Sequence, residues 1–367
     1  MKVAFFNYLP MTFGGGLAQF YTEITTGLSK RFPSAKTQVI SFDEKTAQLI
    51  QGMYSTYFLR NETLTGSKKA THPTGHTISQ VAALLSEFDL IYSKNDILDL
   101  TLLSLARITH RLPPVVIGFH TPIHYARTPT IQSQIHNVLY SSFYYRSLLK
   151  QASGFHVLNE FHRETINHWF PNKPLQKIYN PVDSSLFRPA SHKAGASLRL
   201  LWIGRLTPDK GCDELIKLIK SARRRVAWTI VGDGALRQEI QQLTHTRDNV
   251  IWHSHLDPSA LAKQYRGHDA FISTSNWECL PYTALEAQYC GLPVIGYDIP
   301  GNRDIVDRHT GILVTKYDSL ESAIVHFKPT RFKSRHIRSV TMKRFDANKS
   351  YRTFYSFLKY VYEQSLR

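Results

Sequence analysis

Short apolar runs alternate with amphipathic stretches from one end of this chain to the other. In the first half, residues 2–7, 37–42, 89–93, 115–119, 154–158 and 176–179 are apolar runs of strand length, whereas 17–31, 97–111 and 131–151 repeat apolar positions at helical spacing. The alternation resumes at Leu198, with strands predicted at 198–203, 226–231, 250–253, 270–273 and 294–297, each followed by a turn and most by a helix. Such alternation builds parallel sheets covered by helices, because a parallel strand can be reached only through a crossover. Two successive doubly wound α/β halves are therefore expected. The join falls in 183–197, a polar stretch of small residues that holds Pro189 and Gly195.

Residues 61–76, rich in Thr, Gly, Lys and His, read as an exposed loop. The final helical pattern, 348–364, carries Tyr351, Phe354, Tyr355, Phe357, Tyr360 and Tyr362, and so much aromatic surface must pack against the domains rather than face water. At 367 residues the chain exceeds a single core and suits two domains. Hydrophobic content of 42% and charged content of 20% mark a soluble globular protein. No apolar run reaches the length of about 18 residues that a spanning helix needs. The first residues, Met1 to Tyr8, read as a strand rather than a signal peptide. Cys212, Cys279 and Cys290 have neither metal nor disulfide spacing, so a reducing cytoplasm is the expected setting. The net charge of +17, from 45 Lys and Arg against 28 Asp and Glu, favours an anionic partner such as a phosphorylated metabolite or an acidic membrane surface. The excess gathers at 328–352, with smaller groups at 223–225 and 107–111; no nucleic-acid module is among them, so nucleic acid is not an expected partner.

The strand ends hold the candidate chemistry, since open parallel sheets bind ligands beyond the carboxyl ends of their strands. Strand 270–273 leads into a loop carrying Glu278; Pro281 suits a first helical turn, and Gly291 with Pro293 ends the helix. Glu286 then sits about two turns inside that helix, between Leu285 and Ala287, where a carboxylate needs partners because an unpaired buried charge is costly. The loop after 198–203 presents Arg205 and Lys210 just before a helix N-terminus. A bidentate guanidinium, a point-charge ammonium and free backbone amides together suit a diphosphate. Val231-Gly232-Asp233-Gly234 would let a ligand approach the backbone closely. The first strand runs into Gly14-Gly15-Gly16, a glycine cradle that lacks both the Gly-Lys-Ser/Thr of a P-loop and the spacing of a dinucleotide fingerprint. His120 follows strand 115–119, and no histidine spacing suggests a metal site.

In this order and spacing, the residues resemble the family 4 (group 1) retaining glycosyltransferases, which have the GT-B fold. The likeness is strongest over 198–314 and looser at the glycine loop, at His120 and at Tyr179-Asn180-Pro181-Val182-Asp183. Glu278-x7-Glu286 matches the family's hallmark, and Gly204-Arg205 with Lys210-Gly211 matches its diphosphate-binding pair. The resemblance implies two facing Rossmann-like domains, an acceptor-side domain at 1–187 and a nucleotide-sugar domain at 198–340, with 341–367 a crossover helix returning towards the first. It implies retaining transfer from a nucleotide-diphosphate sugar, UDP- or GDP-linked, to a saccharide or lipid-linked acceptor in polysaccharide or glycoconjugate biosynthesis, with no metal or other cofactor.

By the same resemblance, Glu286 holds the donor ribose and Glu278 a donor sugar hydroxyl. Arg205 and Lys210 neutralise the leaving diphosphate, and His120 stands near the reacting sugar. Gly15, Gly16 and Gly232 approach the donor, and the backbone amides of Leu280, Tyr282 and Thr283 touch phosphate or sugar. The implied catalytic set is His120, Arg205, Lys210 and Glu278, with no protein nucleophile. One departure stands out: Leu280-Pro281 occupies the place where many members have Phe-Gly, and Pro281 has no amide hydrogen to donate.

Tyr140, Phe143, Tyr144 and Tyr145, beside Arg146 and Lys150, form a candidate patch for an anionic membrane, against the alternative that half of these aromatics pack their helix onto its domain. The expected location is the cytoplasm, peripheral on the inner face of the membrane. Two other classes fit the same fold: a catalytically silent GT-B partner or chaperone of another transferase, and a GT-B sugar-nucleotide epimerase or phosphorylase. Arg205, Lys210, Glu278 and Glu286 together argue against the silent partner, which has no need of a full donor set.

Overall fold

The computed structural model describes residues 1–7, 15–41, 57–58, 75–125, 127, 130–190, 197–222 and 226–367. The segment from Leu9 to Gly14, most of the 61–76 loop and the 223–225 arginines lie outside the described residues. The chain divides into two compact units. The first comprises Met1–His124, Asn137–Pro181 and Asn348–Arg367, and the second Tyr125–His136 and Val182–Ala347.

The first unit is built on β1 (Lys2–Asn7), β2 (Lys36–Ser41), β3 (Tyr57–Phe58), β4 (Leu90–Lys94), β5 (Val115–Phe119), β6 (Gly154–Val157) and β7 (Leu175–Lys177). These form a seven-stranded sheet in the order β3-β2-β1-β4-β5-β6-β7, parallel at every pairing. The second unit is built on β8 (Leu198–Ile203), β9 (Val226–Val231), β10 (Val250–His253), β11 (Ala270–Ser273), β12 (Val294–Tyr297) and β13 (Gly311–Val314). Its six-stranded sheet runs β10-β9-β8-β11-β12-β13 and is also parallel. Helices cover both faces of such a sheet, so β4, β5, β6 and β11 are buried along their whole length and read in the sequence as unbroken apolar runs. Strand order reverses between β1 and β4 in one sheet and between β8 and β11 in the other. The crevice at such a reversal is where an open α/β sheet takes its ligand.

The structure departs from the expected elements at three places. The edge strands β3 and β13 were not anticipated: one is two residues long, and the other is a four-residue run, Gly-Ile-Leu-Val, at the sheet edge and only partly buried. The long helix expected at 131–151 is two helices, Ile131–Ser141 and Phe143–Leu149. Ser142 separates them: its hydroxyl accepts from the Tyr145 amide at 3.1 Å and donates to the Leu139 carbonyl at 2.6 Å, capping the second helix. Pro281 lies outside its helix rather than in the first turn, because its extended backbone (φ −68°, ψ 122°) makes it the N-cap of Tyr282–Tyr289.

The aromatic C-terminal helix, Ala347–Ser365, packs as expected. Tyr351, Phe354, Phe357, Leu358 and Val361 are buried, and Phe354 meets the rings of Phe5, Phe20, Tyr92 and His156 in the first unit. Gly27 is required beneath it, since a Cβ there would fall 2.0 Å from the Tyr351 ring.

Candidate functional site

The reversal between β8 and β11 brings together the two loops singled out in the sequence. The loop after β8 carries Arg205 and Lys210, and the loop after β11 carries Glu278. They are stitched to each other through backbone: Thr274 Oγ1 donates to the Lys210 carbonyl at 2.8 Å, and the Asn276 amide donates to the Asp209 carbonyl at 3.1 Å. Asn276 Nδ2 reaches the Pro208 carbonyl at 2.8 Å, and Trp202 Nε1 holds Thr274 Oγ1 at 2.9 Å from the core side. Gly211 permits this approach. Its φ is +65°, and a Cβ there would lie 2.0 Å from the Thr274 carbonyl oxygen.

Within that frame, Lys210 Nζ lies 2.6 Å from Glu278 Oε1, and Ser275 Oγ donates to the same oxygen at 2.8 Å. Both side chains of the pair are mostly buried, at 23% and 15% exposure, so the ammonium is fixed rather than free to sweep through solvent. The Glu278 carbonyl accepts from the Gly301 amide at 2.9 Å, and a Cβ on Gly301 would come within 2.4 Å of it. Arg205 is different: it is half exposed and pairs with Asp209 at 2.9 Å, which leaves it able to change partner when an anion arrives. Gly232, at φ +141°, presses on the Gly204 carbonyl with no space for a side chain, so the turns after β8 and β9 lie backbone against backbone.

Glu286 is the fifth residue of Tyr282–Tyr289, little more than one turn from its start rather than two, because the helix begins at Tyr282. It is buried to 3% exposure, and the buried Tyr265 hydroxyl donates to its Oε2 at 2.9 Å. Burial, and after it the Glu286 charge, hold the Tyr265 phenol well above its usual pKa, so it remains a donor. Leu280 and Tyr282 are buried and Thr283 partly so. With Pro281 as N-cap, the amides of Tyr282 and Thr283 are first-turn donors that the helix itself cannot satisfy. The missing amide at Pro281 therefore falls before the helix, and the first-turn donors survive it.

A further group at this site was not resolved in the sequence. Tyr125 and Arg127 belong to the second unit. The Tyr125 ring meets Trp277 edge to face at 6.4 Å, and burial with the charges of Asp209, Cys279 and Glu278 pushes its phenol up to about 12. Arg127 pairs with Glu214 at 2.6 Å and lies 3.6 Å above the Tyr297 ring, whose hydroxyl donates to the same carboxylate. No local pattern announces these partners, which are far apart in the chain; the only signal was that the segment 121–130 follows a strand end.

In the first unit, Gly15 is the N-cap and Gly16 the first residue of helix Gly16–Arg31, after β1 at the β1/β4 reversal. His120, just beyond β5, has its backbone amide on Asn95 Oδ1 at 3.1 Å and its ring against Phe20 at 4.3 Å. Its Nε2 lies 2.7 Å from the Tyr92 hydroxyl. Burial and the neighbouring His156, His162 and Lys94 hold its pKa well below the usual value, so the ring is neutral at pH 7.

Comparison with known proteins defines the class first. Anabaena Alr3699/HepE, solved in complex with UDP and glucose, superposes with a TM-score of 0.74 at 19% identity over 98% of this chain and 99% of that one, and the fold is GT-B. In sequence, residues 183–336 match the family model described as Glycosyl transferases group 1. A GDP-mannose-dependent alpha-mannosyltransferase of Mycolicibacterium smegmatis is 35% identical over 124 residues, 34% of this chain and 32% of its own length. One of the same name from Corynebacterium glutamicum is 24% identical over 263 residues, 68% of this chain and 61% of its own. The chain thus spans less than two thirds of either curated relative.

Proposed function

We propose that this protein is a retaining glycosyltransferase that moves a sugar from a nucleotide-diphosphate sugar to a saccharide or lipid-linked acceptor in polysaccharide or glycoconjugate biosynthesis. The observation that carries the reading is the Lys210–Glu278 ion pair, fixed at the β8/β11 reversal beside the half-exposed Arg205. A diphosphate entering there gains Arg205 and Lys210 as counter-ions, together with the first-turn amides of Tyr282 and Thr283. Stabilising the charge that develops on the leaving diphosphate is the main rate term, and the fixed Lys210 together with the more exposed Arg205 supplies it without a metal or other cofactor. Glu286 takes the ribose, a vicinal diol that one carboxylate can accept from twice, and Glu278 takes a hydroxyl of the sugar.

Glu278 is held by Lys210 and Ser275 as a binding group, so attack on the anomeric carbon comes from the acceptor on the face the diphosphate leaves. A glycosidase of retaining type would instead use a carboxylate nucleophile. Uracil and guanine are both candidate bases, since the similar proteins include one solved with UDP and others named for GDP-mannose. Thermal-shift titration with UDP-, GDP- and ADP-sugars is the test, since a ligand that binds only the native state raises its melting temperature. A shift with one base, lost in Glu286→Ala, is the expected result; no shift with any of them sinks the reading. Product formed without acceptor would indicate an epimerase, a requirement for inorganic phosphate a phosphorylase, and donor binding without turnover a silent partner.

A second reading concerns location. Ile131, Ile135, Val138 and Leu139 line one face of helix Ile131–Ser141 and are exposed, and Phe143 (76%) and Tyr144 (50%) continue the apolar surface beside exposed Arg146 and Lys150. Tyr140 and Tyr145 are buried, so half of the aromatics do pack the helices, and the other half face out. No helix among the described residues is long and apolar enough to cross a membrane. An apolar stripe edged by cations suits peripheral attachment to the anionic inner face of a membrane from the cytoplasm, where lipid-linked acceptors are presented. Co-sedimentation with anionic but not zwitterionic vesicles, weakened by Phe143→Ser, is expected; equal recovery with both lipids removes the claim.

A further inference from the structure

We propose that Tyr92 and His156 are positioning residues that lock His120 in its Nε2–H tautomer, so that His120 meets a substrate hydroxyl as a hydrogen-bond acceptor through Nδ1. The argument is a chain of donors with one forced end. His156 Nε2 lies 2.9 Å from the Ile178 carbonyl oxygen, which can only accept, so Nε2 carries the proton. Burial lowers the His156 pKa to about 4, so at neutral pH the ring has one proton and its Nδ1 is bare. The Tyr92 hydroxyl, 2.7 Å from that nitrogen, must then give it its single proton. Only lone pairs remain on the Tyr92 oxygen for His120 Nε2, also at 2.7 Å, so His120 donates there and its Nδ1 is left bare. The identity of each proton follows from a carbonyl two side chains away.

The setting is built to hold this line. Phe20 and Phe354 wall the three rings, with Phe20 centroids 4.3 Å from His120 and 5.7 Å from His156. A Cβ at Gly118 would fall 1.8 Å from the Tyr92 hydroxyl, so glycine is what lets the phenol pass between the strands. Asn95 Oδ1 fixes the backbone amides of both His120 and Thr121, at 3.1 and 2.9 Å. No described residue hydrogen-bonds to His120 Nδ1, and a neutral ring of this tautomer can accept from a hydroxyl but cannot donate to a phosphate oxygen through that atom. This deepens the proposed function, and the part that concerns substrate rests on it.

The test is the ring nitrogen spectrum of the full chain labelled with 15N-histidine, with His120 assigned by its loss in His120→Asn. At pH 7 the expected pattern is a protonated Nε2 and a bare Nδ1. It should persist in His156→Gln, whose amide can donate to Ile178 and accept from Tyr92 with the same polarity. It should collapse to exchange between tautomers in Tyr92→Phe and His156→Leu, with native circular dichroism confirming that each variant is folded. A proton on Nδ1 in the unaltered protein, or an unchanged spectrum in folded Tyr92→Phe, overturns the proposal. In kinetics, Tyr92→Phe should lower kcat about tenfold, the size of one misdirected hydrogen bond, while leaving nucleoside diphosphate affinity unchanged, and His156→Gln, which keeps the Tyr92 relay, should leave kcat near that of the unaltered protein. If the unaltered protein shows neither nucleotide binding nor transfer, the functional reading falls, and the spectrum alone decides the tautomer.

Discussion

Glu278 and Glu286 lie on one loop-helix segment, yet their surroundings divide them. Glu278 is tied to a cation and a hydroxyl at the rim of the sheet, whereas Glu286 is buried behind it with the Tyr265 phenol as a donor. Nucleotide affinity and transfer should separate accordingly. Lys210→Ala removes one of the two cations that the proposed function assigns to the diphosphate, and on that reading should weaken nucleoside diphosphate binding about 10- to 100-fold by calorimetry. Glu278→Gln should leave that binding near normal and depress kcat, while Glu286→Ala should abolish binding of any donor. Tyr265→Phe tests the buried partner on its own: loss of one hydrogen bond to a carboxylate should cost about 1.5–3 kcal/mol in chemical denaturation. Equal loss of nucleotide affinity in the Glu278 and Glu286 variants would contradict this division of labour.

At the scale of elements, the helix Ala347–Ser365 is the last in the chain, yet it supplies core to the first unit. Phe354 is fully buried among Phe5, Phe20, Tyr92 and His156. Phe354→Ala should therefore cost about 3–5 kcal/mol, the range for emptying a large aromatic from a core, and should broaden the signals of the His156 ring that it packs against. An exposed aromatic of the same helix, Tyr360, makes the control: its replacement by Ser should change stability by no more than about 0.5 kcal/mol. Comparable losses from both variants would mean that the helix is held by something other than this face.

At the scale of the whole molecule, two compact units with separate cores should respond differently to acid and to ligand. His120, His156 and His162 all belong to the first unit, and burial lowers all three, His156 to about 4 and His162 to about 3. Their folded pKa values lie below the ordinary histidine value of 6.5, so the unfolded chain takes up these protons first. Their contribution to stability is complete above pH 6.5 and is lost as pH falls from there towards about 3. Calorimetry at pH 5 should show the transition of the first unit lowered relative to pH 7.5, while a nucleoside diphosphate should raise the transition of the second. An acid effect that vanishes only when the second unit is altered would refute the assignment.

Much of this was legible in the sequence, because hydrophobic periodicity reports local structure directly. Nearly every core strand, the doubly wound class, the packing need of the aromatic last helix and the two loops that bring Lys210 to Glu278 are legible in the residues alone. What escaped were the edge strands β3 and β13, the break that Ser142 makes between two helices, and the start of the Glu286 helix at Tyr282 rather than Pro281. Each depends on a few hydrogen bonds or a single backbone angle, which leave no periodic trace. Tertiary structure alone decided the pairings between distant residues: Lys210 with Glu278, Tyr265 with Glu286, Arg127 with Glu214, and Tyr92 between two histidines. Chain order determines which elements form, but the donor that faces an acceptor is set by how strands are ordered in the sheet. That order is a property of the packed whole.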